Sequence, residues 1–239
     1  MAVRAGGRSR SRIVVVTATL VALLVVLVLL AQLLLPGVAA TRVRARVERY
    51  GPVHSVDVSA FPAVKLLWGH ADSVTVNAST LTLTPAQIAS LLWEARTVGT
   101  LTVRAQAAVL RVSQLPDGLE VSDVRMQKRG SAVLATATMT QAQLQRALPS
   151  GFSVQPTAGG EGQIEARASG GLFGLQASID VLVRADEGNL IAEPRGLPFG
   201  GIATVTLFSD AHLKVQSVGL RVVRELPLTY GLSLRAILL

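Results

Sequence analysis

From Val53 to the C-terminus, apolar and polar positions alternate with a period of two over one short run after another. VHSVDVSAF, DSVTVNASTLTLT, TLTVRAQAAVLRV, LEVSDVRMQ, SAVLATATM, GQIEARA, LQASIDVLVRA, NLIAEP, ATVTLF, LKVQSVGLRVV and LSLRAIL all follow it. Val and Thr are abundant in these runs, and the alternation puts one apolar face on each strand. Several junctions carry turn residues: Lys128-Arg129-Gly130, Pro116-Asp117-Gly118 and Asp186-Glu187-Gly188-Asn189. Such short links predict antiparallel meanders. No long helices alternate with the strands, which argues against a doubly wound fold.

Two short helices break the pattern. Thr84-Pro85-Ala86-Gln87 places a Thr cap three residues before Gln, with Pro at the first helical position, ahead of IASLLWEA. Thr140-Gln141-Ala142-Gln143 repeats the T-x-x-Q spacing before LQRAL. TLTPAQIASLL at 82–92 aligns with TMTQAQLQRAL at 138–148, so strand, cap and helix recur as a unit. The predicted fold is α+β, mainly β: a curved antiparallel sheet wrapped around short helices. About 190 residues suffice for one such domain with a substantial core.

The first fifty residues read differently. Ile13 to Leu35 carries no charge, and a helix of that length reaches about 35 Å, enough for a hydrocarbon core of about 30 Å. A cleaved signal peptide is the alternative, with Val38-Ala39-Ala40 as the processing site; the apolar run exceeds the length of an ordinary signal core. After the span, Val43, Val47 and Tyr50 fall on one helical face between arginines, which predicts a short amphipathic helix. Its apolar side either docks on the domain or stays on a solvated basic stalk. The chain thus divides into a basic cytoplasmic tail (1–12), a transmembrane helix (13–35), a basic linker helix (36–52) and an extracytoplasmic β-rich domain (53–239).

Charge refines this picture. The formal net charge is +8, but residues 1–12 hold +4, residues 41–49 hold +3 and residues 50–239 hold only +1. The basic excess flanks the membrane segment, where Lys and Arg meet anionic headgroups. A nucleic-acid partner needs a basic face on the domain itself and is not expected. Four arginines stand on each side of the span, so the positive-inside rule does not decide orientation by itself. The free amino terminus, Glu48 and the short N-terminal tail favour a cytoplasmic N-terminus.

The chain contains no cysteine, which excludes disulfides, thiolate metal sites and a Cys nucleophile. It has no G-x-S-x-G elbow, no phosphate loop and no H-E-x-x-H. Of His54, His70 and His212, only His70, two residues before Asp72, offers an acid–base pair; a polar strand entry explains it as well. Gly159-Gly160-Glu161-Gly162 and Gly170-Gly171-Leu172-Phe173-Gly174 lack the strand–loop–helix context of a dinucleotide site and read as loops or strand bends. Aromatic residues make up 4% of the chain, too few to favour a sugar-stacking cleft. No cofactor and no metal are expected.

Phe61-Pro62, Leu66-Leu67-Trp68-Gly69 and Asp72-Ser73-Val74-Thr75-Val76 resemble the LmeA-like phospholipid-binding family of bacterial, actinobacterial-type cell envelopes. Weaker likeness runs through LTVRAQAAVLRV, LATATMTQAQLQRAL and Val218-Gly219-Leu220-Arg221-Val222. The chain departs from the family pattern at Ala60, Ala63 and Val64, where smaller side chains stand. The resemblance implies a sheet wrapped around helices with an apolar groove for acyl chains, and a part in maintaining envelope lipids or lipoglycans. On this reading the partners are a phospholipid or other acyl-chain lipid and the membrane, and the protein is not an enzyme. Phe61, Leu66, Leu67 and Trp68 would line the mouth of the groove, helped by Ile88, Leu91 and Leu92; ordinary core is the plainer account of each position. The alternative function is an envelope scaffold or interaction domain with no lipid ligand.

Overall fold

The computed structural model describes residues 8–112, 115, 117–160, 162–172, 175–195 and 204–239. Part of the basic tail, Pro116, Glu161 and the Phe173-Gly174 pair lie outside them. Strands account for 58% of the structure, arranged in two sheets that are not closed.

A single helix, α1, runs from Arg8 to Val47 and passes through Pro36. A turn at Glu48–Pro52 then sends β1 (Val53–Ser59) back along it. The 3₁₀-helix η1 (Ala63–Trp68) leads into β2 (Ala71–Leu83). The helix α2 (Pro85–Glu94) and the 3₁₀ turn η2 (Ala95–Thr97) carry the chain to β3 (Val98–Leu110). Strands β4 (Leu119–Arg129) and β5 (Ala132–Thr140) follow, then α3 (Gln141–Ala147). The chain continues through β6 (Phe152–Gly159), β7 (Gln163–Leu172), β8 (Leu175–Asp186), β9 (Asn189–Arg195) and β10 (Val205–Phe208). A long hairpin of β11 (Leu213–Glu225) and β12 (Leu228–Leu238) ends it.

The larger sheet has the order β1-β2-β3-β4-β5-β12-β11, and the smaller one the order β10-β9-β8-β7-β6. All pairs are antiparallel except β2 with β3, which run parallel in the register Ala71↔Val98 to Leu83↔Leu110. This departs from the expected run of meanders. Parallel neighbours need a crossover, and α2 with η2 is that crossover.

Both helices start as their caps predict. The Thr84 hydroxyl accepts from the Gln87 amide at 3.2 Å, and the Gln87 side chain accepts from the Thr84 amide at 2.8 Å. Thr140 and Gln143 repeat the arrangement at 3.2 and 2.9 Å.

The core gathers around α2. Ala89 and Leu92 pack in one cluster with Val53 of β1, Val74 and Val76 of β2, Leu101 of β3, Val133 of β5, Ala236 of β12 and Leu213 of β11. The two edge strands of a flat seven-stranded sheet would stand about 29 Å apart. Joining both to one short helix requires the sheet to curl around it, as expected for this fold class.

The smaller sheet covers the outer edge of β11. The amide of Gly162, beside the β6–β7 turn, donates to Val218 O at 2.8 Å, and the Val215 amide donates to Gly188 O at 2.8 Å. An otherwise open strand edge is thereby shielded. Strand β6, absent from the sequence reading, is the far edge of that sheet. Its Pro156 sits where a missing N–H costs no ladder bond.

Candidate functional site

The predicted groove residues lie on two elements, the segment from Phe61 through η1 and the helix α2, in three different environments. Phe61, Leu67 and Trp68 stand in solvent, at 77%, 66% and 69% exposure. Leu66 and Ile88 are half-buried and pack against the cluster around α2. Leu92 is fully buried within that cluster, whereas Leu91 is half-buried and outside it. Phe61, Leu67 and Trp68 thus form an exposed apolar tip, while Leu66 of the same turn faces the cluster that holds Leu92.

The tip is held from below. Gly69 ends η1 in the left-handed conformation, φ 73°, with its amide on Leu66 O at 3.1 Å. That conformation suits glycine and strains most other residues. The Asp72 carboxylate accepts from the Phe61 amide at 2.6 Å and approaches the Lys65 ammonium at 3.6 Å. His70 Nδ1 is 3.0 Å from Trp68 O, and the Thr97 hydroxyl donates to Gly69 O at 2.7 Å. His70 and Asp72, the acid–base candidates, are thus both engaged by the loop that they brace. Among the described residues no three His, Asp or Glu side chains converge as metal ligands would.

Trp93, the other tryptophan, is placed differently. Its ring stacks on His212 with centroids 4.0 Å apart, and the Arg96 guanidinium lies over it at 4.7 Å. Below Arg96, the buried ammonium of Lys128 donates to Val98 O at 2.6 Å. Burial lowers the pKa of that amine.

The amphipathic segment after the span docks. Val43 and Val47 pack against the core, and Arg44 donates to Val53 O at 3.1 Å. Arg46 pairs with Glu94 of α2. Among the described residues α1 is the one helix long and apolar enough to cross a membrane. Its candidate span, Val25–Val47, includes the docked arginine-bearing end and is compatible with a single-pass anchor.

Among the described residues, clefts lie away from these side chains, and two are larger than a third of about 220 Å³ around Arg167 and Asp180. One, of about 480 Å³, is lined by Gly159, Gly160, Gln163, Glu165 and Arg184 in the smaller sheet. Arg184 is already committed there, donating to Glu193 and to Asp186 at 2.8 Å, and it holds the Glu193 carboxyl below its ordinary pKa. The other, of about 590 Å³, lies between α3 and the β11–β12 turn, against Gln141, Ala142, Gln145, Pro227 and Leu228. The same hairpin exposes Val222, Val223 and Leu226. Sequence reading missed this second apolar region, because a run such as LRVVRELPL looks like an ordinary strand and turn.

Neither the curated proteins nor the solved structures include a match to this chain. The family model of LmeA-like phospholipid-binding proteins matches residues 28–235. With that match covering most of its length, the chain belongs to the LmeA-like phospholipid-binding family.

Proposed function

We propose that this protein is a membrane-anchored phospholipid-binding protein, and that it acts on the extracytoplasmic side to maintain envelope lipids or lipoglycans. In this reading α1 is an uncleaved anchor with its N-terminus in the cytoplasm. The lipid's acyl chains enter past Phe61, Leu67 and Trp68 and lie against Leu66, Ile88 and Leu91, with Leu92 as the floor. Family membership supports the lipid class, and the exposed apolar side chains of Phe61, Leu67 and Trp68, next to a Leu66 half-buried against the core, support the location. Burying hydrocarbon contributes about 0.8 kcal/mol per CH₂, so such a site needs apolar walls and no reactive groups.

A second location has its own support. The cleft beside α3 lies next to a hairpin whose Leu226 is 89% exposed. Organic extraction of the purified full-length chain, followed by mass spectrometry, tests both places. Leu67→Asp should remove tightly retained phospholipid from a folded protein, while Ala142→Trp, which fills the α3 cleft, should leave it. The reverse pattern moves the site to α3. Lipid unaffected by both variants, or absent from the parent chain, overturns the proposal.

A further inference from the structure

The position of η1 along α1 shows what its exposed side chains face. Strand β1 doubles back along α1, anchored at its start by the Arg44–Val53 bond. Seven strand residues extend about 23 Å, the length of about 15 helical residues. Counted back from Arg44, the far end of β1 therefore reaches the helix near residue 29, and the η1 turn packs on α1 at about that level. Burial along α1 gives the same level independently. Val25–Val28 and Leu30 are exposed, and cover begins at Ala31 and Gln32, recurring at Leu35, Pro36, Ala39, Ala40, Val43 and Val47. That stripe has helical spacing and marks the side of α1 that meets the domain. The uncharged run ends at Leu35, and the first charge beyond it is Arg42. With Ile13–Leu35 as the membrane-crossing run of the proposed function, the tip sits within about two helical turns of its outer end, on the hydrocarbon side of the headgroups.

We infer that Phe61, Val64, Leu67 and Trp68 insert into the leaflet beside α1, so that the domain has a second, non-covalent grip on the bilayer that anchors it. This rests on α1 being the anchor of the proposed function, and not on lipid uptake by the domain. Contiguous exposed apolar groups usually mark a contact surface. Here the charge pattern and the depth select lipid over protein. Trp68 lies close to the outer end of the uncharged run, the region that tryptophan favours in membranes, and Lys65 on the same turn supplies a cation beside it, its ammonium 3.6 Å from the exposed Asp72 carboxylate. Lys65 can lay its stem along the apolar surface and keep its ammonium at the headgroups. With the tip immersed, a phospholipid would reach the domain directly from the leaflet, without crossing water.

The absence of cysteine makes the test direct. Phe61→Cys, Leu67→Cys and Trp68→Cys, each in the full chain, receive a nitroxide label and are reconstituted in phosphatidylcholine–phosphatidylglycerol vesicles. Asp117→Cys, exposed in the β3–β4 turn at the end of the larger sheet away from η1, is the control. Collisions with oxygen should outweigh those with a water-soluble nickel chelate at the three tip sites, and the order should reverse at Asp117. All three replaced side chains are exposed, so any one folded variant suffices. Tip labels as open to nickel as the control overturn the inference; so do labels immobilised and shielded from both agents, which would place the tip against protein. Phospholipid extracted from the purified, unlabelled parent chain, before any reconstitution, separates the two proposals. Water-exposed labels on a lipid-loaded chain defeat insertion alone, and immersed labels on a lipid-free chain defeat lipid uptake alone.

Discussion

The ammonium of Lys128 on β4 lies 2.6 Å from the carbonyl oxygen of Val98 and 3.5 Å from that of Arg96, at the end of the crossover from β2 to β3. Helix ends leave carbonyls without partners, and a cation there is favourable. This lysine is fully buried, and among the described residues no carboxylate pairs with it. Lys128→Met should keep the apolar stem and leave two carbonyls unsatisfied, costing about 1–3 kcal/mol. The cost should depend on pH. The amine has a folded pKa below its ordinary 10.5, so above the folded value the unfolded chain holds more protons. The native protein therefore gains stability as pH rises from the folded pKa toward 10.5, and the variant does not. Denaturant melts between pH 8 and 10.5 should show the gap widening; a constant gap would refute the linkage.

Leu92 and Leu67 are both apolar residues of the candidate site, yet they carry different loads. Leu92 is 1% exposed and packed, so Leu92→Ala should leave a cavity and cost about 2–5 kcal/mol. Leu67 is 66% exposed, and Leu67→Ala should change stability by no more than about 0.5 kcal/mol. Urea titration of both variants measures the contrast, and equal losses would show that the tip is part of the core.

Gly51 is the residue on which β1 turns back against α1. Its φ is 152°, and a Cβ there would collide with the carbonyl of Thr80 on β2. Gly51→Ala should therefore cost about 1–3 kcal/mol and loosen the docked end of α1. Faster amide exchange over 43–50, with the β7–β9 strands unchanged, is the expected signature. An unaltered exchange pattern would mean that the turn has room to adjust.

The paired caps give a test of additivity. Thr84→Ala and Thr140→Ala should each cost about 1 kcal/mol by losing a cap bond. Thr84 directly follows β2 and Thr140 ends β5, three strand spacings or about 14 Å apart, so the double variant should show the sum. A strongly sub-additive result in thermal melts would indicate that the second helix is already lost in one single variant.

Much of this molecule was readable along the chain because the signals are local. Period two identified most strands, since neighbouring side chains on a strand face opposite ways whatever the tertiary context. The T-x-x-Q boxes placed both helix starts because a cap and its partner are three residues apart. Strand β6 escaped notice because Pro156 and the glycines around it mimic a loop. Only its place at a sheet edge makes them tolerable.

By itself the sequence determined an uncharged helix of membrane-spanning length, basic flanks, a cysteine-free β-rich domain and two capped helices. Tertiary structure decided the rest. It ran β2 parallel to β3, set β12 between β5 and β11, and curled the sheet around Leu92. It also separated side chains that look alike in LLW, burying Leu66 against the core and leaving Leu67 and Trp68 outside. The physical reason is that exposure depends on what another segment covers. Here the covering partners are α1, distant in sequence, and the core that forms only once the sheet has curled around α2.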